Sequence, residues 1–366
     1  MSALSGSDPI STILSLVSVG FFVVFMFFSQ KIQALLMNRQ VSQALTKLKD
    51  MRDKAKEAIS KAIIEVGKPA KDPMPRLERL LQFFTIPPEG MDPAGVVQRL
   101  EHLFDTADSR IRDEIKAIAP NADESQLMNL QNLLEAAQVL NTLYRVVRHY
   151  YLSGKKDGTL YSTVQVQMQL PTIMEEAEAY LSFLDAFNLS KPIGDGVGAL
   201  TASKLMIGQE RREIAKEMVV AETTIEGRRV LATKAKGPGG AVGKVGDAVS
   251  SLIEANIGKV RLVVMVDAGL KLEGEDSGEV AEGIGAAIGG IGVDKYKIEE
   301  AATKHKIPVY AVIIKESLKE VLAPMSEPLR EAVDKAIVRL KAVLQEQTKE
   351  GDTAIVVGVG NTLGIE

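Results

Sequence analysis

Hydrophobic positions fall into three regimes along the chain. No charged residue lies between Asp8 and Lys31, and Val19 to Phe28 is almost wholly apolar. Twenty-two residues, 9–30, at about 1.5 Å each reach roughly 33 Å, enough for a hydrocarbon core of about 30 Å. The pattern therefore predicts a transmembrane helix over 9–30 behind a short external tail, 1–8. Nothing before Asp8 is basic and no small-x-small site follows, so the pattern is not that of a cleaved signal peptide. Lys31, Arg39, Lys47 and Lys49 come next with no acid among residues 31–49. The positive-inside rule then predicts a single-pass protein of the cell membrane, N-terminus outside and the bulk of the chain cytoplasmic, with membrane lipid as a partner.

In the second regime the period is helical. Val41, Leu45, Leu48, Arg52, Ala55, Ile59 and Ala62 alternate by four and three, a heptad seam with one polar break. Residues 31–66 read as a basic helical stalk. It serves either a homo-oligomer or attraction to anionic lipid, or else it packs on the rest of the protein with its charges solvated. Gly67 to Pro73 reads as a linker. Leu77, Leu80, Leu81 and Phe84, then Val97, Leu100, Leu103 and Phe104, then Leu127, Leu130, Leu133 and Leu134 repeat at helical spacing, and Pro87-Pro88, Pro120 and Gly154 to Gly158 separate the pieces. An antiparallel helical bundle over 74–190 is expected. The Tyr144, Arg145, Arg148, His149, Tyr150, Tyr151 cluster reads as a helix end and core aromatics.

Beyond a second linker, 191–210, the apolar runs become short and β-branched. Met218–Ala221 and Arg229–Thr233 around Glu226-Gly227 predict a hairpin. Arg261–Val266, Val309–Ile314 and Ala354–Val357 read as buried strands. Helical patterns at 244–256, in two pieces across 278–305, and at 327–348 lie between them. Residues 211–366 are thus expected to form a mainly parallel α/β sheet, covered on both faces, so the fold class is α plus α/β. Composition sharpens this: 23 of the 30 glycines lie at 191–366, which makes this half the place to seek a site.

Zero Cys excludes disulfides, thiolate metal sites and thiol nucleophiles, and the three His are too far apart in sequence for a His-x-x-His type metal site. A net charge of −4 argues against dedicated nucleic-acid binding. The sheet pattern places its chemistry at the carboxyl ends of the strands. Gly237-Pro-Gly-Gly-Ala-Val-Gly-Lys244, before a helix, resembles a phosphate cradle without being a Walker A motif, so Gly239, Gly240, Gly243 and Lys244, with Gly360 and Asn361, are candidate anion-binding residues. Asp267, Glu273 and Glu275 offer oxygen ligands for a divalent cation such as Mg²⁺, with Asp267 and Glu273 also the candidate catalytic pair of a metal-assisted hydrolase. Lys315, Glu316 and Ser317 follow the third buried strand. Asp276-Ser-Gly-Glu279 reads as a capping box opening a helix. The small residues of Gly283 to Gly289 read as a helix packing tightly on the sheet.

Asp267-Ala-Gly-Leu-Lys-Leu-Glu-Gly274, Ala281 to Gly292 and Lys295-Tyr-Lys-Ile-Glu-Glu300 resemble an archaeal family catalogued as domain of unknown function 1512. The likeness spans the chain; it implies an archaeal membrane-anchored protein and supplies no activity. Ile355 to Leu363 also looks like the Gly-x-Gly-Asn strand end of hydrogenase-maturation and spore-germination peptidases. The functional expectation is a membrane-tethered cytoplasmic protein whose α/β domain binds a small anionic or metal-associated ligand; a peptidase-like hydrolase and a membrane scaffold recruiting protein partners are the alternatives.

Overall fold

The structure, a computed structural model, describes residues 9–85, 95–157, 160–290 and 292–366. The external tail at 1–8 and the Pro87-Pro88 break lie outside the described residues. The helices are α1 (Pro9–Ala62), α2 (Met74–Leu80), α3 (Val96–Ile118), α4 (Glu124–Asp157), α5 (Leu160–Leu189), α6 (Val197–Leu205), α7 (Val245–Ala255), α8 (Val293–Lys304), α9 (Leu318–Leu322) and α10 (Glu327–Gln347). The strands are β1 (Arg211–Ala215), β2 (Met218–Ile225), β3 (Arg228–Ala235), β4 (Val260–Leu270), β5 (Val280–Ile284), β6 (Val309–Glu316) and β7 (Thr353–Gly358).

The chain divides into two compact units, one of residues 1–50 with 142–174, the other of 51–141 with 175–366. In the first, Val41 and Leu48 of α1 and Val147 of α4 are fully buried. Gln167 of α5 donates to Gln40 at 2.8 Å. The heptad positions of this stretch are thus covered by the chain's own helices, as burial of an apolar stripe requires.

The transmembrane helix is a correction. Among the described residues no helix is long and apolar enough to cross a membrane. The apolar run is the opening of the 54-residue α1 and forms no element of its own. Its purely apolar part, residues 19–28, covers only about 15 Å, half a hydrocarbon core, and serines dilute the part before it. The single-pass topology and the cell-membrane localisation, which rested on that span, are overturned with it.

In the second unit the stretch after α1 is pinned. A Cβ on Gly67 would lie 2.3 Å from the Ala119 Cα, so only glycine allows the chain to pass the end of α3 there. The sheet has seven strands in the order β1-β2-β3-β7-β4-β6-β5. Pairings β3/β7, β7/β4 and β4/β6 are parallel, whereas β1/β2, β2/β3 and β6/β5 are antiparallel. The sheet is therefore mixed, not mainly parallel: a parallel centre carries antiparallel strands at both edges. The hairpin forms, with Ile225 opposite Arg228 and Glu226 and Gly227 both at positive φ.

Alternation along the central strands decides the layers. Val263 and Met265 of β4 join α7 and α8 in one core. Leu262, Val264 and Val266 join α10 in the other. Burial on both faces explains why β4 and β7 read as unbroken apolar runs. Residues 191–210, read as a linker, hold a short 3-10 turn at Gly194–Gly196 and α6, in which Val197, Ala199 and Ala202 are fully buried.

One expected helix is absent. Val280–Ile284 pairs antiparallel with β6 as an edge strand, and Gly285, Gly290 and Gly292 take positive φ, which no helix interior tolerates. Only the second piece, α8, is helical. No helix starts at Asp276 either; the capping box forms at α9, where Ser317 and Glu320 bond reciprocally.

Lys234 is fully buried in β3, its Nζ donating to the Ala235 carbonyl at 3.0 Å. Burial, then Arg211, pulls its ammonium down to about 8. The folded chain then holds fewer protons than the unfolded one between pH 8 and the ordinary lysine value, so this residue's contribution rises with pH through that window. Lys234→Met is expected to raise stability at pH 7 by on the order of 2 kcal/mol and to remove that alkaline rise. Urea unfolding at pH 7 and pH 10 checks it, and a variant less stable than the parent at both would refute the assignment.

Candidate functional site

The carboxyl ends of the central strands gather acids. Asp267 stands near the end of β4, Glu316 ends β6, and the 3-10 turn before α6 brings Asp195 beside them. Asp195 Oδ2 accepts from the Asn361 amide at 2.7 Å, and Asp267 Oδ1 from the Ala268 amide at 2.8 Å. Glu316 is fully buried, and neither of its carboxyl oxygens has a hydrogen-bond partner. Glycines make this approach possible. A Cβ on Gly194 would sit 2.2 Å from Glu316 Oε2, and one on Gly360, at φ +117°, would sit 1.8 Å from the Asp195 carbonyl oxygen.

Burial sets the electrostatics. It raises the Asp195 carboxyl against the single amide bond that lowers it. It pushes Asp267 up to about 7, helped by the Asp195 charge. Glu316 goes up to about 9 through burial and then through Asp195, Glu320 and Asp267. Glu320 behaves otherwise: burial pushes it up, but bonds from Ser277, at 2.6 Å, and Ser317 bring it below the usual carboxylate range. Of these strand-end acids, Asp195, Asp267 and Glu316 are inclined to hold protons and Glu320 to stay ionised.

The expected partners of Asp267 are elsewhere. Glu273 is exposed on the loop after β4. Glu275 binds Lys315 and accepts from the Leu272 amide at 2.7 Å, and these bonds hold its carboxyl low. Both oxygens of Glu275 are therefore engaged at the surface. Among the described residues no three His, Asp or Glu side chains are placed to hold a metal ion directly.

The glycine loop forms a different feature. Gly239 and Gly240 meet the first turns of α4: the Gly240 amide donates to Asn129 Oδ1 at 2.8 Å, and Asn132 Nδ2 donates to the Gly240 carbonyl at 2.7 Å. The Ala241 amide is taken by Thr362 Oγ1 at 3.1 Å. Gly243, at φ +70°, passes Met218 and the Glu217 carbonyl too closely for a Cβ. Lys244 binds Asp105 of α3; burial lowers its ammonium, but that carboxylate raises it on balance. In the loop read as an anion cradle, the Gly240 and Ala241 amides are thus taken by α4 and the C-terminal segment, and Lys244 is paired with α3. Asn361 likewise turns its amide to Asp195 and its Oδ1 to the Leu363 amide, 2.9 Å away.

Where α3, α4, the β1–β2 edge and this loop meet, a cleft of about 840 Å³ opens. Three of its basic side chains are neutralised: Arg112 by Glu124 and Glu217, Lys236 by Glu213, and Lys244 by Asp105. Asp108, Glu135 and Lys216 line the cleft outside those ion pairs. Both acids stay open to solvent, yet the protein around them thins their hydration. Burial raises Asp108 against Lys216 and Lys244, and burial followed by the Asp108 charge raises Glu135. Tyr180 is pushed up to about 12 by burial, Glu135 and Glu176. Two carboxyls of perturbed acidity in the same cleft are the kind of group binding sites concentrate.

Sequence reasoning passed over Asp195, Asp108 and Glu135. Asp195 lay in a stretch read as linker, and only its glycine neighbours hinted at a close approach. Asp108 and Glu135 sit on α3 and α4, of which only the apolar positions were singled out in the sequence, and only tertiary packing closes protein around them. The Ser317-x-x-Glu320 capping signal was present in the sequence.

No curated protein matches this chain. Residues 15–190 match the family described as "Protein of unknown function (DUF1512) N-terminal domain". Residues 193–366 match "Domain of unknown function (DUF1512) C-terminal". With the two halves matched in order along nearly the whole sequence, the chain belongs to the DUF1512 family.

Proposed function

We propose that the protein binds a small polar molecule carrying a cationic amino group, in the cleft between the glycine loop and helices α3 and α4. The observation that carries this reading is the pair Asp108 and Glu135, open to the cleft and outside its ion pairs. An ammonium placed near both would relieve their mutual repulsion and form charge-assisted hydrogen bonds. Lys216, also outside the ion pairs, suits an acidic group on the same molecule. A purely anionic ligand fits less well, because the Gly240 and Ala241 amides and Lys244 are already engaged.

A thermal-shift screen of the full chain against polyamines, amino acids, amino sugars, neutral polyols and sugar phosphates tests this. Amine-bearing compounds should raise the melting temperature by several degrees and lose most of that effect in Asp108→Asn and Glu135→Gln. Stabilisation by sugar phosphates alone, or by nothing in the panel, would sink the proposal.

A further inference from the structure

Charge is divided unevenly between the two units. The one formed by residues 1–50 and 142–174 has eight Lys and Arg against three Asp, a net charge of +5 in a chain of −4, so the other carries −9. Two of those cations meet in a pocket that lies wholly within the basic unit. Asn38, Arg39, Ser42 and Gln43 of α1 and Tyr151 and Lys155 of α4 line a space of about 480 Å³, and no acid is among its lining residues. The spacing on α1 brings them there, since 38 with 42 and 39 with 43 are neighbours on one helical face. Among the described residues neither Arg39 nor Lys155 is in an ion pair. Lys155 Nζ lies 4.5 Å from the centre of the Tyr151 ring. Hydrogen bonds from Lys155 and then Ser42 hold the Tyr151 phenol below its ordinary range. A neutral phenol positions the ammonium without cancelling its charge, so the pocket keeps two uncompensated cations.

From this geometry we infer that the pocket between α1 and α4 is a binding site for a phosphate monoester group. Such a group carries about two negative charges near neutral pH and three strong acceptor oxygens. Arg39 meets it with a planar fork of donors and Lys155 with a compact point charge. The side-chain amides of Asn38 and Gln43 supply neutral donors for the remaining oxygen. A carboxylate, with one charge and two oxygens, would leave one of the two cations uncompensated. The volume falls inside the range of about 300–1,000 Å³ that small-molecule sites occupy. Basic residues of the same unit outside the pocket, such as Arg148 on the Tyr151 and Lys155 stripe of α4, add a field that draws an anion toward it.

Isothermal titration calorimetry of the full chain with glycerol 3-phosphate, against glycerol and against acetate at equal ionic strength, tests the site. One glycerol 3-phosphate per chain is expected, with no binding of glycerol or acetate. Arg39→Gln and Lys155→Gln, both at exposed positions, should each weaken that binding at least tenfold, while Lys49→Gln, exposed on the same unit and outside the pocket, leaves it unchanged. Flotation with phosphatidylcholine vesicles containing phosphatidic acid separates the two sources of the group. Binding of glycerol 3-phosphate assigns a soluble phosphate ester; binding to the vesicles alone, lost in the same two variants, assigns a lipid headgroup. Binding of neither probe overturns the inference, as does equal weakening by Lys49→Gln, which would mean diffuse attraction and no pocket. Binding of a single-stranded oligonucleotide alone, a phosphodiester, overturns it too. The amine reading is tested at Asp108 and Glu135 and this one at Arg39 and Lys155, so a sugar-phosphate effect that survives Asp108→Asn and is lost in Arg39→Gln belongs to this pocket, and either reading can fail without the other.

Discussion

In chelator, Asp267→Asn should leave stability unchanged near pH 4 and raise it by on the order of 4 kcal/mol at pH 9. Burial and the Asp195 charge push the Asp267 carboxyl up to about 7, above its ordinary 3.8. Between those values the folded chain keeps a proton that the unfolded chain has lost. Stability linked to that proton is fully present below the unfolded value and falls as pH rises, by about 1.4 kcal/mol per unit, until the folded carboxyl ionises near 7. Asparagine keeps the shape and carries no charge, so the loss disappears. Glu316→Gln extends the window, because Glu316 is held up to about 9. Urea unfolding at pH 4, 6, 8 and 9 with EDTA gives the comparison as a difference between variants, which removes the opposite slope from low-lying acids such as Glu114 and Glu222. Parallel pH profiles for parent and both variants would mean that the carboxyls are not buried together.

Gly360→Ala is expected to cost more than about 3 kcal/mol, and Gly351→Ala about 1 kcal/mol. Both glycines take positive φ, +117° and +86°, so both substitutions carry backbone strain. They differ in what a Cβ meets: nothing within 4 Å at Gly351, but the Asp195 carbonyl oxygen at 1.8 Å at Gly360. Backbone cannot yield as a flexible side-chain tip can, so Gly360→Ala must push the 3-10 turn away from the end of β7. The same shift would break the Asn361 amide bond to Asp195, coupling the stability loss to loss of the carboxyl cluster. Denaturant unfolding of the two variants measures the difference, and equal losses would show that the turn does not press on Gly360.

Local pattern determined much of this molecule. The β2–β3 hairpin, the buried strands β4, β6 and β7, and helices α7 and α10 were legible because their signals lie within a few residues: Glu226-Gly227 for the turn, unbroken Val and Ile runs for strands buried on two faces, 3.6-residue periodicity for the helices. Asp267 at a strand end was legible for the same reason. What misled was equally local. The uncharged run after Pro9 read as a separate span, whereas it opens the 54-residue α1, and among the described residues no helix is long and apolar enough to cross a membrane. The glycines of Gly283 to Gly289 looked like helix packing, though positive φ at Gly285 and pairing with β6 make an edge strand and a loop.

The site itself was decided by contacts far apart in sequence. Asp195 meets Asn361 across 166 positions, and Lys244 meets Asp105 across 139. A glycine-rich loop before a helix reads alike whether its amides face a phosphate or a neighbouring helix. Here Asn129 and Thr362 take the Gly240 and Ala241 amides, Asn132 donates to the Gly240 carbonyl, and only the fold brings those residues within 3.1 Å. The acidity of a carboxyl likewise depends on how much protein surrounds it and which charges face it. Sequence therefore determined which residues end strands and which faces are apolar, while the packing of α3, α4 and the turn at Asp195 against the sheet decided which acids lose their water.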